Sequence, residues 1–357
     1  MCQTHYTRQY KVGMTKINVE DAIGTRLAHD ITEIRPGEFK GPSFRRGHKI
    51  EEQDVCRLMR LGKRHLYILD LSTDQVHEDD AVVELATALA GTGITFDREP
   101  REGKLQLAAA YTGLLKINID ALVAFNMIPD VMCAAMHNNV PVSLGQIVAG
   151  TRAVPLVIER QVLDQAVALA RSQAPIFSVK AYHRKKVRLV ITGSEVYEGL
   201  IDDRFEAIVN EKLATYGASL KETVILPDDA DCIADTVRRF AAADTELIIT
   251  TGGMSVDPDD VTRHGIRLAG VDAIHYGAAV LPGAMFLLAY KGNLPIMGIP
   301  ACGLYHKITI FDLVLPRLLA GERLDERDLA RFAVGGLCLN CPECRYPACP
   351  MGKTGCW

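Results

Sequence analysis

Residues 246–262 read ELIITTGGMSVDPDDVT, from Glu246 to Thr262. Glu246–Thr251 is β-prone and nearly all apolar or hydroxylated, as expected of a strand covered on both faces. Gly252 and Gly253 follow at once. Asp257, Pro258 and Asp260 then signal a helix start, with the proline at the first helical position. A strand that ends in adjacent glycines and turns into a helix offers bare backbone and a positive dipole end to an anion.

The pattern extends in both directions. Residues 187–192 (VRLVIT) read as a second buried strand. Asp203–Tyr216 places Phe205, Ile208, Val209, Leu213 and Tyr216 on one helical stripe, closed by Gly217. Thr223–Leu226 is strand-like, and Asp231–Ala242 is a helix burying Ile233, Val237 and Phe240. Strand-like runs recur at Ala273–His275 and Leu294–Ile299. A last helix, Leu304–Leu319, is apolar nearly all round and is expected to be buried. Alternating strands and helices at this spacing require right-handed crossovers. The expected fold class is α/β, a three-layer, mostly parallel sheet.

Ligands of such sheets bind beyond the carboxyl ends of the strands. Three of these ends lead into loops of one chemical type: Thr192 to Asp203, Pro227-Asp228-Asp229, and Thr250 to Thr262. Each combines backbone N–H groups or hydroxyls with carboxylates. A phosphate beside carboxylates needs a cation between them, so a polyanion with magnesium fits. Each acid also has a purely structural reading. Asp203 with Glu206, Asp228 with Asp231, and Asp257 with Asp260 all have capping spacing. Caps leave unexplained why three acidic loops share one edge.

Residues 187–319 resemble the molybdopterin-binding domain shared by molybdopterin molybdotransferases and adenylyltransferases. The matching elements, in order, are ITGSEVYEGLIDDR, LPDD, TTGGMSVDPDDVT, LPGAM and GIPACG. The resemblance implies a molybdopterin-binding type of sheet. It implies that the pterin phosphate is held by Thr192, Gly193, Ser194, Glu195, Gly199, Asp202, Gly252, Gly253, Met254, Ser255, Pro282, Gly283 and Pro300. Asp228, Asp260 and Glu195 would be the catalytic acids, holding magnesium or orienting an oxyanion. The family often carries a lysine in a PGKP-like element, where this chain has Ala284. An LPGNP-like element is replaced by Ile299-Pro300-Ala301-Cys302-Gly303.

The rest of the chain divides, on this reading, into a mixed α+β segment at 1–72, loosely similar to the start of a molybdotransferase, and a mixed α/β domain at 73–180. The molybdopterin-binding domain occupies 181–325. In the first segment, Val19–Leu27 and Glu51–Leu61 have helical spacing, His65–Leu71 reads as a strand, and residues 36–43 read as a loop. The tail at 334–357 begins with a hinge at Gly335-Gly336. It carries Cys338, Cys341, Cys344, Cys349 and Cys356, a spacing that suits four-cysteine zinc or an iron–sulfur cluster.

The formal net charge of −4 over 357 residues speaks against nucleic acid as a partner. No apolar run approaches a membrane span, so a cytoplasmic protein is expected. Two functions follow. One is molybdenum insertion or molybdopterin activation, with molybdate and ATP as further partners. The other is a non-catalytic carrier, sensor or chaperone serving a molybdoenzyme client. In either case the family resemblance implies a homo-oligomer.

Overall fold

The computed structural model describes residues 14–35, 38–69, 71–173, 175–254 and 261–353. They fall into two compact units. The first draws on residues 1–108, 118–136 and 147–177, the second on 109–117, 137–146 and 178–357.

In the first unit, Met14–Asn18 pairs antiparallel with His65–Leu69, and Ile31–Arg35 pairs with Phe39–Phe44. Helix Glu52–Arg60 completes this part, around Val19, Ala22, Leu27, Ile31, Phe44, Ile50, Leu58 and Leu66. Two expectations fail here. Residues 19–27 form only a 3-10 turn, Glu20–Ala22, because Gly24 takes φ +88° and turns the chain out of the helix. Most of the expected loop at 36–43 is instead the second hairpin strand; Pro42 is tolerated because a two-stranded ribbon leaves an edge free. Pro36 and Gly37 lie outside the described residues. Arg46, in the basic stretch FRRGHK at 44–49, pairs with Asp79 at 3.2 Å and Asp80 at 3.3 Å, which offsets much of its charge. A four-stranded sheet and helices Glu78–Leu89 and Arg160–Ser172 make up most of the remainder.

The second unit is built on six strands: β1 (Lys186–Thr192), β2 (Ser219–Leu226), β3 (Leu247–Thr251), β4 (Ala273–Tyr276), β5 (Leu287–Lys291) and β6 (Leu294–Ile299). Their order across the sheet is β2-β1-β3-β6-β5-β4. The β2-β1-β3-β6 pairs are parallel, and β5 runs antiparallel to both neighbours. The sequence reading missed β5. Its run of Leu287, Leu288, Ala289 and Tyr290 is buried on both faces but, unlike β1 and β3, has no β-branched residue to mark it as a strand.

Successive residues of each strand feed opposite layers. Leu189, Ile191, Leu247, Ile249 and Met297 pack with α2 (Phe205–Thr215) and α5 (Ile310–Leu319). Val190, Ile248 and Ile296 pack with α3 (Ala230–Ala242) and α4 (Thr262–Leu268). A short helix, α1 (Ser194–Tyr197), follows β1. The unit is therefore the expected three-layer α/β fold. Every residue of α5 is buried, including Asp312 and Arg317, which are held in ion pairs with Lys212 and Glu322, but the helix starts later than the apolar pattern suggests. Thr309 and Asp312 form a reciprocal capping box that sets its first turn.

The tail is a packed element. Leu281 N–H donates to the Gly336 carbonyl at 2.8 Å, and Cys338 N–H donates to the Leu281 carbonyl at 2.8 Å. Gly335-Gly336 is a tight corner and not a hinge: a Cβ on Gly336 would lie 2.2 Å from the Ala279 carbonyl oxygen. Met351 is 3% exposed, and Tyr346 packs against the same core.

Glu322 gives this unit an acid-sensitive anchor. Its carboxylate meets Lys116 at 2.7 Å, Lys180 at 3.0 Å and Arg317 at 2.8 Å. Burial alone would raise its pKa, but the Lys116 hydrogen bond and charge and the Arg317 charge outweigh burial and bring it to about 2. A carboxylate depressed in the folded state stabilises above its ordinary pKa of 4.5 and loses that contribution as pH falls towards 2. The gap corresponds to roughly 3 kcal/mol. Unfolding measured between pH 5 and pH 2 is expected to show this loss, and Glu322→Gln is expected to remove that part of the slope.

Candidate functional site

The topology gathers one set of loops at the carboxyl edge of the sheet. These are residues 193–204 after β1, 227–229 after β2, 252–254 after β3, 277–286 between β4 and β5, and Pro300 after β6. The first two are bonded to each other. Ser194 donates to Asp228 Oδ2 from its backbone N at 2.8 Å and from its hydroxyl at 3.1 Å. Asp228 N–H returns a bond to Ser194 Oγ at 3.3 Å. Asp228 is free to do this because the cap of α3 is its neighbour: Asp229, and not Asp228 as the spacing suggested, accepts from Cys232 N–H at 2.8 Å. That bond holds the Asp229 carboxyl below its ordinary pKa.

On the other side, Thr192 Oγ1 donates to the Thr251 carbonyl at 3.0 Å and lies 2.7 Å from Thr262 Oγ1. Gly252 takes φ +83°, and a Cβ there would sit 2.0 Å from the Thr192 carbonyl oxygen. Gly253, at φ +52°, is pressed against Thr262 Oγ1 in the same way, at 2.5 Å. The glycines thus let the β1 and β3 ends close on each other. Beneath them the Thr251 hydroxyl is fully buried and has no hydrogen-bond partner among the described residues. An orphaned buried hydroxyl normally costs about 1–3 kcal/mol, which a bound acceptor would recover.

The remaining candidates divide. Glu195 folds back towards Gly193, its Oε1 3.2 Å from where a Gly193 Cβ would be. Gly199 and Asp202 are exposed on the same loop. Pro282 is half-buried, Pro300 is buried, and Gly283 packs against Ile310 with no room for a side chain. Met254 turns inward, in contrast to the rim position expected of it. Its side chain is 5% exposed and fills the space left by Gly298. Its sulfur accepts from the Thr250 hydroxyl at 3.9 Å, and its carbonyl accepts from Tyr276 Oη at 2.5 Å. Ser255 and Asp260 lie outside the described residues, as does Cys356. Burial pushes the Cys302 thiol pKa up, so it is no ready thiolate.

Three residues here escaped the sequence reading. Thr262 bonds to a partner 70 residues away. Tyr276 holds Met254, and Arg263 stacks 4.6 Å over the Tyr276 ring, bringing a cation to this edge. Thr262 at least lay inside the decisive stretch. The other two gave no local signal.

The four described tail cysteines behave differently. Cys338, Cys341, Cys344 and Cys349 line one cavity of about 210 Å³. Among the described residues, no three His, Cys, Asp or Glu groups close on one point so as to hold a metal ion. Nor is any helix among them long and apolar enough to cross a membrane.

Residues 188–320 match the family described as "Probable molybdopterin binding domain", and residues 16–70 match one described as a domain of unknown function. A molybdopterin molybdenumtransferase of Haemophilus influenzae is 28% identical over 179 residues, 45% of this chain and 43% of that protein. A CinA-like protein of Fervidobacterium nodosum is 34% identical over 82 residues, 23% of this chain and 20% of that protein. This chain therefore spans less than half the length of either relative. The molybdopterin biosynthesis enzyme MoaB of Thermus thermophilus aligns at a TM-score of 0.33 and 20% identity, over 39% of this chain and 98% of that one.

Proposed function

We propose that this chain, whose residues 188–320 match the family described as a probable molybdopterin binding domain, takes up molybdopterin at the carboxyl edge and acts in molybdenum insertion or molybdopterin activation. The observation that carries the reading is the joining of the β1 end to the β2 loop through Ser194 and Asp228 and to the β3 end through Thr192 and Gly252, with an unpartnered Thr251 hydroxyl buried at the β3 end. A phosphate oxygen is a fitting acceptor for that group. Gly252, Gly253 and Ser255 would cradle the phosphate, and Arg263 would supply nearby positive charge. Asp228 and Glu195, with Asp260, would hold magnesium between protein and polyanion. Molybdate and ATP would be co-substrates.

The tail cysteines would hold zinc or an iron–sulfur cluster, and the protein would work in the cytoplasm as a homo-oligomer. A carrier or chaperone for a molybdoenzyme is the second reading. Ala284 favours it, since a lysine there would give a point charge for phosphate or molybdate.

Asp228→Asn separates the two. Asparagine keeps an oxygen that accepts from Ser194, so the loops stay joined while the charge is lost. Given magnesium, ATP, molybdate and purified molybdopterin, the native chain is expected to turn over. The variant should bind pterin but run at least about a hundredfold slower. Tight binding by the native chain with no turnover would reject the enzyme reading in favour of the carrier.

A further inference from the structure

We infer that a second cavity of the second unit, about 470 Å³ in volume and walled by α2, binds a mononucleotide. Segment 303–308 forms another wall, and Pro141 and the tail at Tyr346-Pro347 complete it. None of the described carboxyl-edge candidates lines this cavity, so the site stands apart from the one proposed for the pterin. Cavities of about 300–1,000 Å³ hold drug-sized ligands.

Three phenols gather here with their hydroxyls unused. Tyr216 and Tyr346 line the cavity, and neither hydroxyl makes a hydrogen bond among the described residues. Behind them, Tyr182 is 8% exposed, meets the Tyr216 ring edge-on at 5.1 Å, and has a buried hydroxyl with no partner among the described residues. Burial raises the pKa of all three, so they are neutral O–H groups. The Tyr346 phenol also feels the charges of Tyr216, Asp312 and Tyr182, which places the four groups in one neighbourhood. Polar groups withdrawn from water without partners cost stability, and a bound acceptor recovers it.

The rest of the lining narrows the ligand. Tyr305 is 82% exposed, and together with Ile208, Leu304 and Pro347 it offers apolar and aromatic surface to a flat ring. Lys307 and Glu211 line the cavity with exposed side chains, and neither has an ion-pair partner among the described residues. Lys212 donates to Asp312 and to the Lys307 carbonyl, which leaves one of its three N–H groups. A ligand must therefore answer cations and a carboxylate together. Bare phosphate would face Glu211 with nothing to offset the repulsion, and a plain hydrocarbon ring would leave the hydroxyls and charges unmet. A mononucleotide brings a flat ring for the tyrosines, N–H groups for Glu211, ring acceptors for the phenols and a phosphate for Lys307.

The test is calorimetric titration of the whole chain with AMP and with GMP, in EDTA so that magnesium-dependent binding at the carboxyl edge is silent. At least one of the two is expected to bind, one per chain, with a Kd below about 1 mM. Lys307→Ala should weaken that binding at least about tenfold. Tyr216→Phe should weaken it about threefold to tenfold without lowering the denaturation midpoint, because its hydroxyl has no partner to lose. Lys221→Ala removes an exposed cation of β2 outside the cavity and should change neither quantity. No binding of either nucleotide at millimolar concentration, or an affinity indifferent to both cavity variants, would overturn the assignment. So would ribose 5-phosphate or tryptophan binding as tightly as the nucleotides. Pterin uptake by Lys307→Ala should match that of the native chain, so this assignment and the carboxyl-edge reading fail separately.

Discussion

Gly252→Ala is expected to destabilise the chain by at least about 2 kcal/mol and to weaken molybdopterin binding at least about a hundredfold. Two effects add. The residue sits at φ +83°, where an L side chain is strained by about 1–2 kcal/mol. The new methyl would also lie 2.0 Å from the Thr192 carbonyl oxygen and 2.8 Å from its carbon. Both are backbone atoms of β1, so no rotamer change relieves the clash, and the β1 and β3 ends must separate. That motion would open the Thr192–Thr251 and Thr192–Thr262 contacts and displace the Thr251 hydroxyl. Gly217→Ala, just beyond α2, is the control. It too has a positive φ, +68°, but open space around it, so it should show the backbone strain alone and no comparable loss of binding. Chemical denaturation and pterin titration of both variants check this.

Lys212→Ala is expected to cost about 3–5 kcal/mol, the usual penalty for stranding a buried charge. Lys212 on α2 pairs with Asp312 in the first turn of α5, and the Asp312 side chain is only 9% exposed. Burial raises the Asp312 pKa; the Lys212 charge and hydrogen bond pull it back only in part. Without Lys212 the carboxyl would be held still higher. The sign then follows: stability of the variant relative to native should be best in acid, where the carboxyl is neutral, and should fall as pH rises through its titration. Lys212 also donates to the Lys307 carbonyl at 2.8 Å, so the 305–308 segment should loosen as well. Lys212→Met combined with Asp312→Asn should recover most of the loss, since asparagine can still serve the capping box. Equal destabilisation of the single and double variants would refute the charge argument.

Most of the second unit was legible because its elements have clean periods. The stripe of Phe205, Val209 and Leu213 and the run of Val187–Thr192 admit few other readings. β5 was missed because its Leu, Ala and Tyr residues lack the β-branched side chains that mark β1 and β3. The start of α5 was misplaced because apolar content marks burial and not helix ends; the signal was the Thr309–Asp312 capping spacing. Adjacent aspartates posed a subtler problem. Composition could not tell which of Asp228 and Asp229 caps α3, and that choice decides which carboxylate is left for the site. Thr192, Ser194, Asp228, Gly252 and Gly253 were all named from sequence, and the fold brings them together. Tyr276 and Arg263 were not, because their role depends on β4 lying at the far end of a sheet whose order no local pattern encodes.

Native mass spectrometry of the intact chain, after exposure to purified molybdopterin, tests most directly whether the carboxyl edge is a pterin site. One molybdopterin per chain is expected, absent from folded Gly252→Ala and retained by Cys344→Ser. A native chain that carries no pterin at saturating concentration, or a folded Gly252→Ala that carries it undiminished, would contradict that assignment.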